Sequence, residues 1–457
     1  MAKLMKVRGS TPAHLLMGRA GIQPVRNYAL PESVWYATLA GTLDSTNGGG
    51  TFTRTGDQAS YINDAGIMIH VAANVPRYQG HGILIEPTAK NSVTYNNNIG
   101  GTTWTTGFFS TAYVQSITAP DGTLTATEIC AGSGFGSNFD KYDLPTADFP
   151  AASTRTASVY AKLLGTNPNH WLRIGIRHAN GSSFSYQWFN VSTGAIGSTT
   201  GSSVAPTIAG ISGPDASGYY RCDMTFVNSG SGTDVRYFLQ NSYGDGSSAG
   251  TATVQGNGIA VWGAQVENSG YVTSYIRNTG ATLNTRGQDV PTLAGMPLGY
   301  NRTLGALSMR VTPTVAQGHE ATGVIWGGNV IVTYGLIGND GVFDTPNFQS
   351  SNGSTSVTTH VIPIEDATYN VVITFDAAGA AAFPGTKRFS FINGTKRPRQ
   401  NSSGSDDSFT TWPVATANVL GNNTLSLGAF PCVISNLAWW PELADGQAIR
   451  ISLGVTP

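Results

Sequence analysis

Between Ser158 and Glu267 the chain alternates apolar and polar residues in short bursts, and nearly every burst ends in Gly, Ser or Asn. A period of two places successive side chains on opposite faces of a strand, whereas a helix needs a period of 3.6. Ser158-Val-Tyr160-Ala, His170 to His178, Phe184 to Val191, Tyr219 to Phe226, Val235 to Gln240 and Gly258 to Glu267 all carry it. Many short strands joined by tight turns specify a sandwich or jelly roll.

Composition points the same way. The 457 residues include 57 Gly, and only 11% are charged, against about 25% in ordinary soluble domains. Helices with wet faces would need far more Lys and Glu. The hydrophobic fraction of 40% is enough for real cores. The fold class expected is all-β: two jelly-roll or β-sandwich domains behind an extended N-terminal arm and a small β adaptor. The boundaries expected are 1–40 for a docking arm, 41–90 for the adaptor, 91–280 for the first sandwich and 286–457 for the second.

The arm is placed at 1–40 because Pro12, Pro24 and Pro31 interrupt scattered Leu and Met, with four basic residues before position 20. In the second sandwich, Gly305–Val311, Tyr369–Phe375, Phe389–Asn393 and Val433–Trp440 read as strands. Asn393-Gly394 reads as a tight turn. Pro441 to Ile449 is the best stretch for a short helix. No heptad or short-period repeat marks a fibrous shaft.

A net charge of −1 gives no reason to expect nucleic acid as a partner. Lys396-Arg397-Pro-Arg399 is a basic cluster on a turn, read as solvated. Cys130, Cys222 and Cys432 stand far apart in apolar strands, so buried free thiols are expected rather than a disulfide framework. MAKLMKVRGS lacks an apolar stretch behind its basic residues, so neither a secretory signal nor membrane insertion is expected.

HExxH and GxxxxGK[ST] are both missing. His170 and His178 lie roughly 26 Å apart on one strand at about 3.3 Å per residue, so they cannot share a metal. Non-enzymatic function is the expectation.

The His170–Val191 hairpin can be read face by face. Leu172, Ile174, Ile176, Phe189 and Val191 form the core side. The opposite side carries Trp171, Arg173 and Arg177, then Tyr186 and Trp188 across the turn, then Arg236 and Phe238 on a further strand. Sugar rings stack their C–H faces on aromatic rings, and their hydroxyls need polar partners. These seven residues are therefore the candidate carbohydrate-binding set; the alternative is that the face packs against another subunit or domain. Trp262 and Trp440, inside apolar strands, are read as core. Asp121, in a Pro-Asp-Gly turn, and Glu267, at a strand end, are the candidates for a structural calcium, which needs six to eight oxygens. No other cofactor is expected.

Thr51-Phe-Thr-Arg54, Ala59-Ser-Tyr-Ile-Asn-Asp-Ala-Gly-Ile67, Ala73-Asn-Val-Pro-Arg-Tyr78 and Gly82-Ile-Leu-Ile-Glu86 together resemble a pattern recurrent in phage tail-fibre, head-fibre and spike proteins. That pattern commonly precedes a carbohydrate-binding-like jelly roll. Marks of the jelly roll are Ala119-Pro-Asp-Gly-Thr123, Tyr219-Tyr-Arg221, Val261 to Glu267 and Thr273-Ser-Tyr-Ile276. The segment after 286 is similar to a laminin-G or concanavalin-like sandwich at Tyr369–Phe375, Phe391-Ile-Asn-Gly394, Leu425-Ser-Leu-Gly428 and Ile434 to Asp445. The chain departs from the pattern in a short Tyr78–Gly82 stretch and in Lys90-Asn-Ser-Val.

The resemblance implies a virion component, a homo-oligomer and most simply a trimer. Its arm would dock on other virion proteins, and its lectin-like modules would face host surface polysaccharide. A purely structural decoration or collar protein is the first alternative. A polysaccharide-degrading spike is the second, disfavoured because phage depolymerases usually resemble right-handed β-helices with a coil-length repeat that is missing here.

Overall fold

The computed structural model describes most of residues 50–293, three short strands before them, and a set of strands and one helix between 304 and 453. The arm expected over 1–40 lies outside the described residues apart from the strand Trp35–Thr38. The described chain is all-β, with one α-helix, Asp445–Ser452. That helix begins four residues after the Pro441 start expected from sequence.

Two sheets face each other in the first sandwich. A six-stranded antiparallel sheet runs in the order Trp104–Thr106, Phe139–Leu144, Val235–Ser242, Trp171–Arg177, Phe184–Asn190 and Ala195–Ser202. The opposing sheet runs Ile208–Ser212, Tyr220–Val227, Thr154–Leu163, Ile259–Glu267, Ala89–Asn91 and Asn284–Arg286, with Thr127–Ile129 also on Ile259–Glu267.

Between them lies one buried cluster. The first sheet contributes Leu172, Ile174, Ile176, Phe189, Val191, Tyr237 and Leu239. Val159, Cys222, Met224, Phe226, Val261 and Val266 come from the second. Alternation produces this directly: every second residue of Trp171–Arg177 points inward, and each such Leu or Ile side chain stabilises by about 1.5–3 kcal/mol on burial.

The turns follow from their side chains. The Asn190 Oδ1 accepts the amides of Ser192 and Thr193, and Gly194 takes φ +72°, where a Cβ would be strained. The Asn180 Oδ1 likewise accepts from Ser182 and Ser183 ahead of the strand Phe184–Asn190.

The strand Ile259–Glu267 changes phase midway. Ile259 and Val261 face the inter-sheet core, while Ala260 and Trp262 face the outside, in a second cluster with Tyr160, Tyr219, Tyr275 and Met68. Its register against Thr154–Leu163 then shifts between Ser158 and Tyr160, at Gly263 with φ +68°. Beyond this bulge, Ala264 and Val266 point inward. Gln265 and Glu267 are thereby turned to the outer side, where an unbroken alternation would have buried them among the core side chains.

The hairpin Ala59–Ile62 with Met68–Val71 supplies Met68 to the outer cluster. The strand Gly82–Ile85 pairs instead with Cys432–Trp440, in a sheet that also holds Trp35–Thr38, Leu304–Pro313, Tyr369–Asp376 and Arg388–Ile392. Residues expected to form an adaptor therefore reach both halves of the chain.

Candidate functional site

The outer face of the six-stranded sheet gathers the residues expected there. Across neighbouring strands, Arg173 sits opposite Trp188 and Gln240, Gly175 opposite Tyr186 and Phe238, and Arg177 opposite Phe184 and Arg236. Trp171 stands at the end of its strand beside Asn190 and Ser242. Gly175 is required in the middle row: a Cβ there would lie 2.7 Å from the Tyr186 ring. Without it the ring lies over the strand, stacked on Phe184 at 5.7 Å and 9°. Phe184 is a member of this face that sequence reading missed, although its place two residues before Tyr186 marks it.

The face has two ends of different character. At one end Arg177 pairs with Asp234 at 2.8 Å, and Arg236 pairs with Asp234 at 2.5 Å and Asp143 at 3.1 Å. These are half-exposed pairs whose charges cancel locally. At the other end a loop folds over the sheet. The Trp188 Nε1 donates to the Ser247 carbonyl at 2.8 Å, and Asp245 receives the Ser198 amide at 2.6 Å and hydroxyl at 2.9 Å. Trp188 keeps only 2% of its surface in solvent, and Phe238 is buried too.

Trp171 stays half-buried at the strand end, and the expected open surface is therefore corrected at Trp188. A Tyr ring could remain at a wet boundary through its hydroxyl, but the larger indole is sealed by residues 242–247 and serves packing. The accessible part centres on half-buried Tyr186, Phe184 and Arg177. The rim adds Tyr243, 61% exposed on the covering loop.

Arg173 lies between the ends. Its guanidinium carbon is 4.5 Å from the Tyr186 ring centroid and 5.6 Å from that of Trp188. Burial lowers its pKa from the ordinary arginine value.

Asp121 and Glu267 are committed elsewhere. Asp121 meets His70 at 3.1 Å and receives the Thr123 amide at 3.0 Å. Burial raises the Glu267 carboxyl, while Arg221 and hydrogen bonds from Thr273 and Gln265 oppose the rise. Among the described residues no three potential metal ligands come together.

A buried ion network also escaped sequence reading. The Glu86 carboxylate accepts from Arg77 at 2.6 Å and Arg286 at 2.9 Å, and from the Ser274 amide at 2.6 Å. Asp289 pairs with Arg54 at 3.0 Å and with Arg77. Burial pushes the Glu86 carboxyl up, but Arg286 and Arg77 outweigh it and hold the group at about 2. Charged residues at the ends of short strands in a chain this poor in charge were the available signal.

A cleft of about 610 Å³ lies on the other sheet, lined by Tyr61, Tyr160, Asp215 and Arg221 among others. Its polar groups are engaged only in part: Asp215 accepts the Ser217 and Tyr219 amides and Arg221 donates to the Thr273 carbonyl, while the Asp215 Oδ2 and the Arg221 Nε are buried with no hydrogen-bond partner. The aromatic face differs in holding two rings stacked flat beside guanidinium groups.

The three cysteines are buried and free, and burial raises the Cys130 thiol to about 11, which leaves it unreactive. Among the described residues no helix is long and apolar enough to cross a membrane.

No family model matches the chain, and no curated protein does. Among solved structures, a SAP-like pentraxin from Limulus polyphemus shares 15% identity over 33% of this chain and 70% of its own, with a TM-score of 0.25. Domain 4 of an extracellular arabinanase from Geobacillus stearothermophilus, in complex with arabinotriose, shares 16% over 36% and 73%, also at 0.25. Mouse laminin α1 domains LG4-5 share 12% over 68% and 92%, at 0.20.

Proposed function

We propose that this protein is a non-enzymatic structural component of a phage virion, a fibre or spike that presents lectin-like sandwich modules to host surface polysaccharide. The observation that carries the glycan part is the outer face of the six-stranded sheet, where Tyr186 lies flat against Phe184 with Arg173 and Arg177 beside it. Flat rings flanked by fixed donors match the two sides of a pyranose, its C–H face and its hydroxyl edge. The virion part rests on the resemblance of Thr51–Glu86 to phage fibre and spike proteins. A homotrimer docked by its N-terminal arm would multiply weak single sites through avidity.

The test is binding of the full chain to an array of bacterial surface polysaccharides. Wild type binds, and Tyr186→Ala, at a half-exposed ring, loses about tenfold or more in affinity with its melting temperature kept. Equal binding by both proteins removes the glycan assignment. Antibody to the outward-facing sandwich modules, viewed on particles by electron microscopy, tests the virion placement. Absence of label from particles refutes it. Release of reducing ends from a bound polysaccharide would restore the degrading-spike alternative. A decoration or collar protein is the second reading, favoured by the buried Arg54–Asp289–Arg77–Glu86–Arg286 network, which is architectural.

A further inference from the structure

We infer that the aromatic face takes an acidic saccharide, whose carboxylate or sulfate is received by Arg173; this rests on the glycan-binding function proposed above and narrows it.

Arg173 differs from the other buried and half-buried arginines of the described chain. Arg54, Arg77 and Arg286 each meet a carboxylate, Arg155 is bonded to the Asp148 carbonyl, and Arg221 to that of Thr273. Arg173 keeps 8% of its surface in solvent, yet among the described residues its guanidinium is paired with no carboxylate and no hydrogen-bond acceptor. Its described partners are the Tyr186 and Trp188 rings.

A buried charge without a counter-charge is expensive, and folded proteins normally pair it or replace it. Aromatic faces recover part of that cost through cation–π attraction, but they engage the flat side of the guanidinium. They leave its N–H edge unspent. That edge is a planar fork, matched to a carboxylate or a sulfate by two parallel hydrogen bonds. The anion must also come with a body that fits the surroundings. Tyr186 and Phe184 offer ring faces beside the guanidinium, suited to a pyranose carrying the acid group. Arg177 and Arg236 are unsuited to the same role, because Asp234 and Asp143 already pair with them.

The experiment uses the full chain at physiological ionic strength. Its probes are neutral bacterial polysaccharides, uronate- or sialate-bearing ones beside their carboxyl-reduced forms, and dextran sulfate beside dextran. Wild type is expected to prefer the acidic form over its reduced partner by about tenfold or more. Arg173→Gln abolishes that preference, so that it binds the acidic form no better than the reduced one. Its melting temperature stays level or rises, because an unpaired buried charge is gone; a purely structural arginine would lower it. Arg173→Lys, which keeps charge and loses the fork, binds the acidic form more weakly than wild type.

A preference for dextran sulfate over the uronates with the same Arg173 dependence assigns the anion as a sulfate ester. Equal, Tyr186-dependent binding of acidic and reduced forms overturns this inference and leaves the glycan function standing. Binding to no polysaccharide overturns both.

Discussion

Arg77 and Glu86, nine residues apart, meet at 2.6 Å in an ion pair from which solvent is almost wholly excluded. Arg286 reaches the same carboxylate at 2.9 Å from the strand Asn284–Arg286, paired with Ala89–Asn91. Three chain segments are thus tied through one carboxyl. Glu86→Gln would leave two buried guanidinium groups short of charge, a loss of about 3–5 kcal/mol, read as a fall in the urea midpoint. The pH dependence has a defined sign. The folded carboxyl titrates near 2 against an ordinary value of 4.5, so its stabilisation is full above 4.5 and is lost as pH falls toward 2. Wild type should show this acid-side loss and Glu86→Gln should lack it.

His178 titrates in a different window. The Ser229 amide donates to its Nδ1 at 3.2 Å, so the ring proton belongs on Nε2, which donates to the Ser185 hydroxyl at 2.7 Å. Burial lowers its pKa from 6.5 to about 4. The neutral ring is the one the fold prefers, so stability is full above 6.5 and falls between 6.5 and 4, by about 3 kcal/mol. Above pH 4.5 Glu86 contributes little to this slope. Thermal melts of wild type should decline across that interval, and those of His178→Gln should be flatter. Parallel slopes would show that His178 is not the group responsible.

How much of this was written in the sequence differs by feature. The two faces of Trp171–Arg177 and Phe184–Asn190 were legible, because the alternation sends Leu172, Ile174, Ile176 and Phe189 into the core as it predicts. The accessibility of the outer face was not. It depends on residues 242–247 folding back over Trp188, a contact 59 residues away that no local pattern encodes. The ion network was hidden for a related reason: Arg54, Arg77, Glu86, Arg286 and Asp289 come from two stretches far apart in sequence, and only the tertiary fold brings them together. The inward phase of Ala264 and Val266 was hidden because one bulge at Gly263 resets the period.

Gly263 should tolerate no side chain. Its φ of +68° costs an L-residue about 1–2 kcal/mol. A Cβ would sit 3.1 Å from the Tyr160 ring and 3.2 Å from that of Tyr275, adding about 1–3 kcal/mol of overpacking. Gly263→Ala is expected to lower the denaturation midpoint, and Gly263→Val to lower it further. An unchanged midpoint in both would mean that the strand can shed its bulge without cost.

Trp188 is the residue at which folding and binding are most easily confused. Its indole is buried, touches Arg173 and Tyr186, and holds the loop through Ser247. Trp188→Ala opens a large cavity and frees that carbonyl, a loss of about 3–5 kcal/mol, so weakened glycan binding in that variant would report unfolding. Trp188→Phe keeps most of the ring and gives up the N–H bond, at about 1 kcal/mol. Trp188→Phe is expected to melt slightly lower than wild type and to retain glycan affinity within about twofold, since the accessible ring is Tyr186 rather than Trp188. A loss of affinity in Trp188→Phe as large as in Tyr186→Ala, with the fold intact, would mean that the loop opens and that the indole itself meets the sugar.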